Sequence, residues 1–339
     1  MKIKLFYYLS KVFSFLVIKK TKKSINKNFF LFLYGGIGDH LILVNFIYSL
    51  SQKNNVTIFL DKKFFYLKFF FNECRIIDYD SNKKLYFMFK LLIGENFKNT
   101  TFISWSCSIY QMLIYLISNS SSYFGIIDSF DKIYDSKKIF LTKEKNRYSL
   151  YNKVFIQNLD IVFTKKAFYF QETKKIFTEK YFVIAINKTT NWGSVVPKLE
   201  IFLKKINYFM KDTQLIPVII GINDHKKINL QLYEKLIHLN PLNMTGKLDF
   251  KNLIKLIYFA EYTICYDNGI MHLSSLLSKK TYSFFTFSDP NVYAENSNIV
   301  FFNKMFSCQP CISLPVNGND NYPPKCLFNY QCSSSLDKN

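Results

Sequence analysis

Residues Cys265 to Ser278 read C-Y-D-N-G-I-M-H-L-S-S-L-L-S. The apolar run Tyr262 to Tyr266 leads into this stretch and reads as a buried strand. Leu273, Leu276 and Leu277 follow on one face at helical spacing. Asp267-Asn268-Gly269 therefore joins a strand to a helix. Asn268 suits the N-cap, and Gly269 permits a close approach to the backbone. The first N–H groups of a helix bind anions, phosphate above all. Asp267 at the strand end and His272 one turn into the helix would flank one small space. Such a set suits a sugar-phosphate ligand. The same residues also fit an ordinary strand–turn–helix in which Asp267 caps and His272 is half buried. Spacing alone leaves both readings open.

A second turn of this kind lies near the start of the chain. The apolar strand Phe29 to Tyr34 runs into Gly35-Gly36-Ile37-Gly38-Asp39. Leu41, Val44, Ile47, Tyr48 and Leu50 then repeat at helical spacing. The turn is not G-x-G-x-x-G and lacks the Lys-Ser/Thr of a P-loop. Asp39 is its only acid. A carboxylate there would repel phosphate, but it is suited to take a proton from a hydroxyl. The alternative is that Asp39 only caps the helix.

Between and beyond these turns, strands and helices alternate. In the first half, strands are expected at Val56–Leu60, Ile76–Tyr79, Thr101–Ser104 and Tyr123–Ile127. Helices are expected from after Leu60 to about Phe71, over Lys83–Ile93 and over Ile109–Ile117. Asp131–Tyr148 is polar and reads as a loop over the cleft, and Tyr151–Asp160 as a connecting helix. The second half places strands at Phe182–Ile186, Leu215–Ile220, Asn243–Thr245, Tyr262–Tyr266 and Thr281–Phe285. Its helices are expected at Lys198–Met210, Asp224–Leu239 and Phe250–Phe259. This alternation predicts an α/β chain of two Rossmann-like, doubly wound lobes facing a central cleft. The lobes span 29–163 and 181–305, with a linker at 164–180. A basic segment, 1–28, precedes them and a Cys-rich tail, 306–339, follows.

Composition narrows the function classes. The 339 residues carry 45 Lys and Arg against 24 Asp and Glu, a net charge of +21. Only Arg75 and Arg147 are arginines. Nucleic-acid readers rely on Arg forks, so no nucleic-acid partner is expected. The excess of Lys, Asn, Ile and Phe also reflects an AT-rich coding bias. What remains of the charge favours an anionic surface or substrate. Leu5–Ile18 is apolar but shorter than the ~18 residues of a membrane span, and lysines flank it. No small-residue cleavage site follows it. It reads equally as a basic amphipathic helix on an anionic leaflet or as a helix packed on its own domain.

Four cysteines cluster in the tail. Cys308, Cys311, Cys326 and Cys332 form C-x2-C, fourteen residues, then C-x5-C. Four thiolates at this spacing are candidate ligands for a structural zinc or iron, with no catalytic part. Cys74, Cys107 and Cys265 are scattered and read as small buried hydrophobes.

With both turns in view, the chain resembles glycosyltransferase family 9, the heptosyltransferases of lipopolysaccharide core assembly. G-G-I-G-D-H at Gly35–His40 is similar to the family's G-x-G-D turn. D-N-G-I-M-H at Asp267–His272 is similar to its D-[ST]-G-x-x-H motif. The stretch Thr245–Pro290, ending F-S-D-P, follows the family's C-lobe. The resemblance implies a GT-B fold and inverting transfer from a nucleotide sugar, typically ADP-heptose, to a lipid-linked saccharide, with no cofactor for catalysis. It implies a protein of the cytoplasm, peripheral at the inner membrane. It makes Asp39 the general base, with Gly35, Gly36 and Gly38 forming the acceptor-side loop. Gly269, Ile270 and Met271 at the helix start would hold the diphosphate, with Asp267, Asn268 and His272 near the donor.

Two departures stand out. Thr189, Thr190 and the residues to Pro197 align with a family loop, T-T-x-x-x-K-x-W-P, whose lysine faces the donor phosphates. That position here is Ser194; substitution by Lys188 or Lys198, and a different donor, are the alternatives. After Gly221, Asp224 is the nearest candidate for the acid expected at the ribose. A related enzyme with another nucleotide sugar or a protein acceptor, and a non-catalytic sugar-nucleotide binder, are the alternatives.

Overall fold

The structure is a computed structural model that describes residues 27–81, 97, 99–106, 109–118, 120, 122–126, 132–135, 138–141, 144–171, 175–186, 199–210, 214–286, 288–302, 307, 309 and 310. The basic segment 1–26, the expected helix Lys83–Ile93 and the loop carrying Lys188, Thr189, Thr190, Ser194 and Lys198 lie outside those residues. So do Cys107, Cys308, Cys311, Cys326 and Cys332. The described chain forms two compact units, which meet in sequence at Lys166 and Ala167.

The first unit is built on seven strands: β1 (Asn28–Phe32), β2 (Asn55–Asp61), β3 (Arg75–Tyr79), β4 (Thr101–Ser104), β5 (Ser122–Ile126), β6 (Lys132–Asp135) and β7 (Lys138–Leu141). Their order across the sheet is β3-β2-β1-β4-β5-β6-β7. The first five pair in parallel. Such strands are covered on both faces, so they read as apolar runs rather than alternating ones. Asp131–Tyr148 is not the expected loop. It contains the antiparallel hairpin β6–β7, which extends the sheet beyond β5.

Aromatic side chains fill this core. The Phe30 ring lies 4.4 Å from Phe97, and meets Phe59 and Phe102 edge-on at 5.3 and 4.8 Å. Phe30→Ala removes all three contacts from a fully buried site. It should destabilise the chain by about 3–5 kcal/mol, read as a fall in the denaturation midpoint at unchanged slope.

The expected helix ending at Phe71 is a 3₁₀ helix, Lys62–Phe71. Its apolar residues repeat every three positions, which over ten residues is hard to tell from a 3.6 period. The connecting helix begins earlier than expected: Arg147–Ser149, a π-turn at Leu150–Phe155 and Ile156–Asn158 are consecutive. Asn146 caps it, accepting from the Tyr148 and Ser149 amides. This helix carries a cation, Arg147, to the Asp39 turn.

The second unit holds β8 (Tyr181–Ala185), β9 (Ile216–Ile219), β10 (Leu242–Asn243), β11 (Tyr262–Tyr266), β12 (Lys280–Phe285) and β13 (Ile299–Phe302). All pair in parallel, in the order β10-β9-β8-β11-β12-β13. β13 adds a strand beyond those expected, after Thr281–Phe285. The expected helix Asp224–Leu239 is broken into Asn223–His225, Lys226–Lys235 and Ile237–Leu239. Phe182, Ile184, Ile219, Ile264 and Tyr266 from the sheet pack on Phe202, Ile206 and Leu232. Counted from its own first strand, this sheet runs 3-2-1-4-5-6, the Rossmann order. The first five strands of the first unit run 3-2-1-4-5. Each sheet reverses its winding once, between β1 and β4 and between β8 and β11. Ligands of such sheets bind at that reversal, beyond the carboxyl ends of the strands.

Candidate active site

The turn after β1 sits at the first reversal. Gly36 opens the helix Ile37–Ser51, and Asp39 is its third residue. Asp39 Oδ2 accepts from the Gly36 amide at 2.8 Å, so the capping alternative holds. It is only half of the arrangement. Asp39 Oδ1 accepts from Arg147 Nη1 at 2.7 Å, and the two side chains are 29% and 7% exposed. Each carboxylate oxygen can accept a second hydrogen bond, so Asp39 keeps capacity to take a proton. Burial pushes its carboxyl up, but the Arg147 charge and hydrogen bond, with the Gly36 amide, outweigh that and hold it below its ordinary value. Asp39 is therefore a fixed, ionised carboxylate.

Arg147 stands out in the sequence only as one of two arginines, and no local pattern gives it a role. Its guanidinium lies 6.0 Å from the Trp105 ring. Trp105 follows β4, on the other side of the reversal. Its indole N–H donates to Phe32 O, and its own carbonyl accepts from the Tyr151 hydroxyl. Tyr34 and Ser106 join hydroxyls at 2.5 Å, and Tyr34 packs on Trp105 at 5.0 Å between ring centres. Such a frame, drawn from β1, β4 and the 147–158 helix, holds the carboxylate in one position.

His40 adds a second buried group. Its Nδ1 lies 2.7 Å from Gly36 O. A carbonyl only accepts, so Nδ1 carries the proton. Nε2 is then an acceptor, and it is buried with no hydrogen-bond partner among the described residues. Burial, the largest influence, lowers the imidazole below its ordinary 6.5. The unfolded chain thus binds this proton more readily, and His40 stabilises the fold fully only above about pH 6.5. Thermal midpoints should fall as pH drops below that value, and the fall should be shallower in His40→Asn.

Gly35 adopts φ +104°, and a Cβ there would lie 2.6 Å from Asp39 Oδ2. At Gly36 the same distance is 3.6 Å, an ordinary contact. Gly35→Ala is therefore strained by roughly 1–2 kcal/mol and displaces the carboxylate, whereas Gly36→Ala is accommodated. Turnover should drop at least about tenfold in the first and stay within about twofold in the second. Gly38 lies in the first turn of the same helix.

At the second reversal the cap expected from the sequence is present. Asn268 Oδ1 accepts from the amides of Ile270 and Met271 at 3.0 and 3.2 Å. Its Nδ2 donates to Ala185 O at the end of β8, 3.1 Å away. Asn268 thereby ties the helix Gly269–Leu276 to both strands of the reversal. It also engages two of the three amides expected to hold an anion, leaving that of Gly269 outside the cap. Asp267 Oδ2 accepts from Ser288 Oγ at 2.6 Å. Ser288, buried in F-S-D-P, is a partner of Asp267 that spacing does not single out. His272 is buried. Gly221 follows β9, and a Cβ there would come within 2.6 Å of Asn229 Nδ2. Asp224 is exposed beside it. Among the described residues no cluster of three or more His, Cys, Asp or Glu could hold a metal. No described helix is long and apolar enough to cross a membrane.

Two Rossmann-type sheets, each with a polar turn at its reversal, make the fold that of the GT-B glycosyltransferases. Residues 203–316 match the family profile described as Glycosyltransferase family 9 (heptosyltransferase). The resemblance to family 9 is thus borne out through the second unit, which carries the Asp267–His272 motif. Solved structures agree on the fold. A glycosyltransferase of family 9 from Veillonella parvula DSM 2008 aligns over 84% of this chain and 87% of its own, at 13% identity and TM-score 0.63. The E. coli heptosyltransferase WaaC, solved with ADP, aligns over 84% and 96% at 11% identity and TM-score 0.63. The iron-containing dodecameric glycosyltransferase TibC of enterotoxigenic E. coli aligns over 92% and 73% at 10% identity and TM-score 0.54. No curated protein sequence matches the chain.

Proposed function

We propose that this chain is an inverting glycosyltransferase that moves a sugar, in the first instance heptose from ADP-heptose, onto a lipopolysaccharide core acceptor. The observation that carries the reading is the family match at residues 203–316, which includes the turn at Asp267–His272. WaaC, similar in fold, has been solved both with ADP and with ADP-2-deoxy-2-fluoro heptose, which supports an ADP-sugar here.

In this reading an acceptor hydroxyl attacks the anomeric carbon while the bond from that carbon to the phosphate oxygen breaks. The proton passes to Asp39, and ADP leaves with the bonding electron pair. Attack opposite the leaving group inverts the anomeric configuration. The transition state is oxocarbenium-like, so proton transfer can follow bond cleavage and a strong base is not required. A lowered carboxyl is then an advantage, because the base is ionised throughout the neutral range. The Gly269 amide and the dipole of its helix, together with Thr189, Thr190, Ser194 and Lys188, would meet the departing phosphate charge. Asp267, His272, Gly221 and Asp224 would line the donor side.

The four tail cysteines are proposed as a structural iron or zinc site, a donor set that suits either metal. The iron of TibC, which shares the fold, favours iron first. Metal analysis of the purified chain, with a Cys308→Ser and Cys311→Ser variant, tests this.

The deciding experiment measures ADP release from ADP-heptose with core acceptors of graded length. Release with one acceptor supports the reading. Release only with another nucleotide sugar, or with a protein acceptor, would favour the related transferase that Ser194 suggests. Thermal stabilisation by ADP-heptose without release from any acceptor would favour a binder. By this reading the chain works at the cytoplasmic face of the inner membrane, where lipid-linked acceptors lie.

A further inference from the structure

The 3₁₀ helix Lys62–Phe71 follows directly from the carboxyl end of β2, next to β1 and the Asp39 turn. Ten residues is long for this helix type, in which residues three apart stack in rows. The rows differ sharply. Phe64, Leu67 and Phe70 turn inward, and the Phe64 ring packs 4.8 Å from His40. Lys62, Phe65 and Lys68 form a second row that ends inward at the buried Phe71, and Lys63, Tyr66 and Phe69 a third; apart from Phe71 these residues are exposed. Phe65, Tyr66 and Phe69 are 40%, 41% and 47% exposed. Lys68 Nζ lies over the Phe65 ring at 4.7 Å.

We propose that these two outer rows are a contact surface for an anionic lipid bilayer. Aromatic rings alternating with lysines suit the boundary between headgroups and acyl chains, where rings bury and ammonium groups meet phosphate. Lys62 pairs with Asp78 at 3.3 Å and Lys63 with Asp61 at 3.2 Å. Pairs whose lysines are this exposed are weak and give way to a dense field of phosphates. The occupant is a bilayer rather than a second copy, because two chains of charge +21 repel each other across lysine-bearing faces. The use of this surface rests on the lipid-linked acceptor proposed above. Through the Phe64–His40 contact, a bilayer held here lies beside the Asp39 turn.

The test places a reporter in the face. Phe65→Trp in the full chain is mixed with vesicles of phosphatidylcholine and phosphatidylglycerol, with and without bromine on the acyl chains. The expected result is a blue shift and bromine quenching at position 65, beyond the background of Trp105 and Trp192. Both should weaken with salt and be absent with pure phosphatidylcholine. A Phe65→Ser, Tyr66→Ser, Phe69→Ser variant should lose at least about tenfold in partitioning. Loss of each lysine should cost about fivefold. The proposal falls if the chain sediments with vesicles while the introduced indole stays unquenched, because another segment then holds it. It falls equally if no vesicle binds, if the triple variant partitions like wild type, or if the blue shift needs only high protein concentration. Turnover on a deacylated, soluble core acceptor separates this inference from the transferase reading. The triple variant should keep that turnover; wild-type failure on that acceptor despite lipid insertion would count against the enzyme and not the surface.

Discussion

Asp39→Asn is expected to lower kcat by about 10³-fold while leaving the KM for the donor within about threefold. General-base assistance is worth on the order of 10²–10⁴. The turn at Asp267–His272, proposed for the donor, belongs to the other unit. The substitution keeps volume and can still accept from the Gly36 amide, so the helix start should survive. What it removes is the charge that meets Arg147 and the capacity to take a proton. ADP release at saturating donor reads kcat, and displacement of a fluorescent ADP analogue reads donor binding. A variant that turns over within tenfold of wild type would remove Asp39 as the base. A variant that loses donor binding to the same extent would make the residue structural.

Arg147→Gln should act on the same carboxylate from outside. With Arg147 gone, the largest influences opposing the burial that raises the Asp39 carboxyl are lost, and the Gly36 amide and His40 remain. The folded-state value then rises. In wild type the value is lowered, so the carboxylate's contribution to stability is complete above its ordinary 3.8 and is lost only as pH falls through the lower folded value. In the variant that contribution shrinks, because the folded value is raised. Activity at pH 7 should fall about 10–100-fold, and the acid limb of the pH profile should move to higher pH than in wild type. Stability at pH 7 should drop by about 2 kcal/mol, discounted because Asp39 is partly exposed. Arg147→Lys should restore the wild-type pH profile, since charge is retained, but not full turnover, since a single ammonium lacks the planar fork. An unchanged pH profile in Arg147→Gln would show that the pair does not set the state of Asp39.

Much of this architecture can be read without coordinates, for identifiable reasons. Phe29–Tyr34 and Tyr262–Tyr266 are apolar runs too short for helices, each closed by glycine and a polar residue, so strand and turn are encoded locally. Asn268 as a cap is likewise a matter of neighbouring residues. What could not be read depends on distance or on neighbours in space. The Lys132–Leu141 hairpin sits in a charged stretch whose strand character comes from pairing with β5. The 3₁₀ form of Lys62–Phe71 follows from which rows find a core. Ser288 meets Asp267 only because β12 lies beside β11. Arg147 reaches Asp39 across 108 positions of sequence, and a chain this rich in lysine gives no local hint that one cation has a fixed place.

That span of chain bears on how the protein matures. The Asp39 turn is made early, but its counter-charge arrives only after β2 to β7 have been laid down and the 147–158 helix has closed over the sheet. A nascent or clipped first unit ending before Asn146 would hold the same glycine turn and the same carboxylate, yet without the cation that settles its ionisation. The fixed charge on the turn is thus acquired only once residue 147 is in place. Fragments released by proteolysis before Asn146 would carry the glycine turn without the cation that fixes its charge.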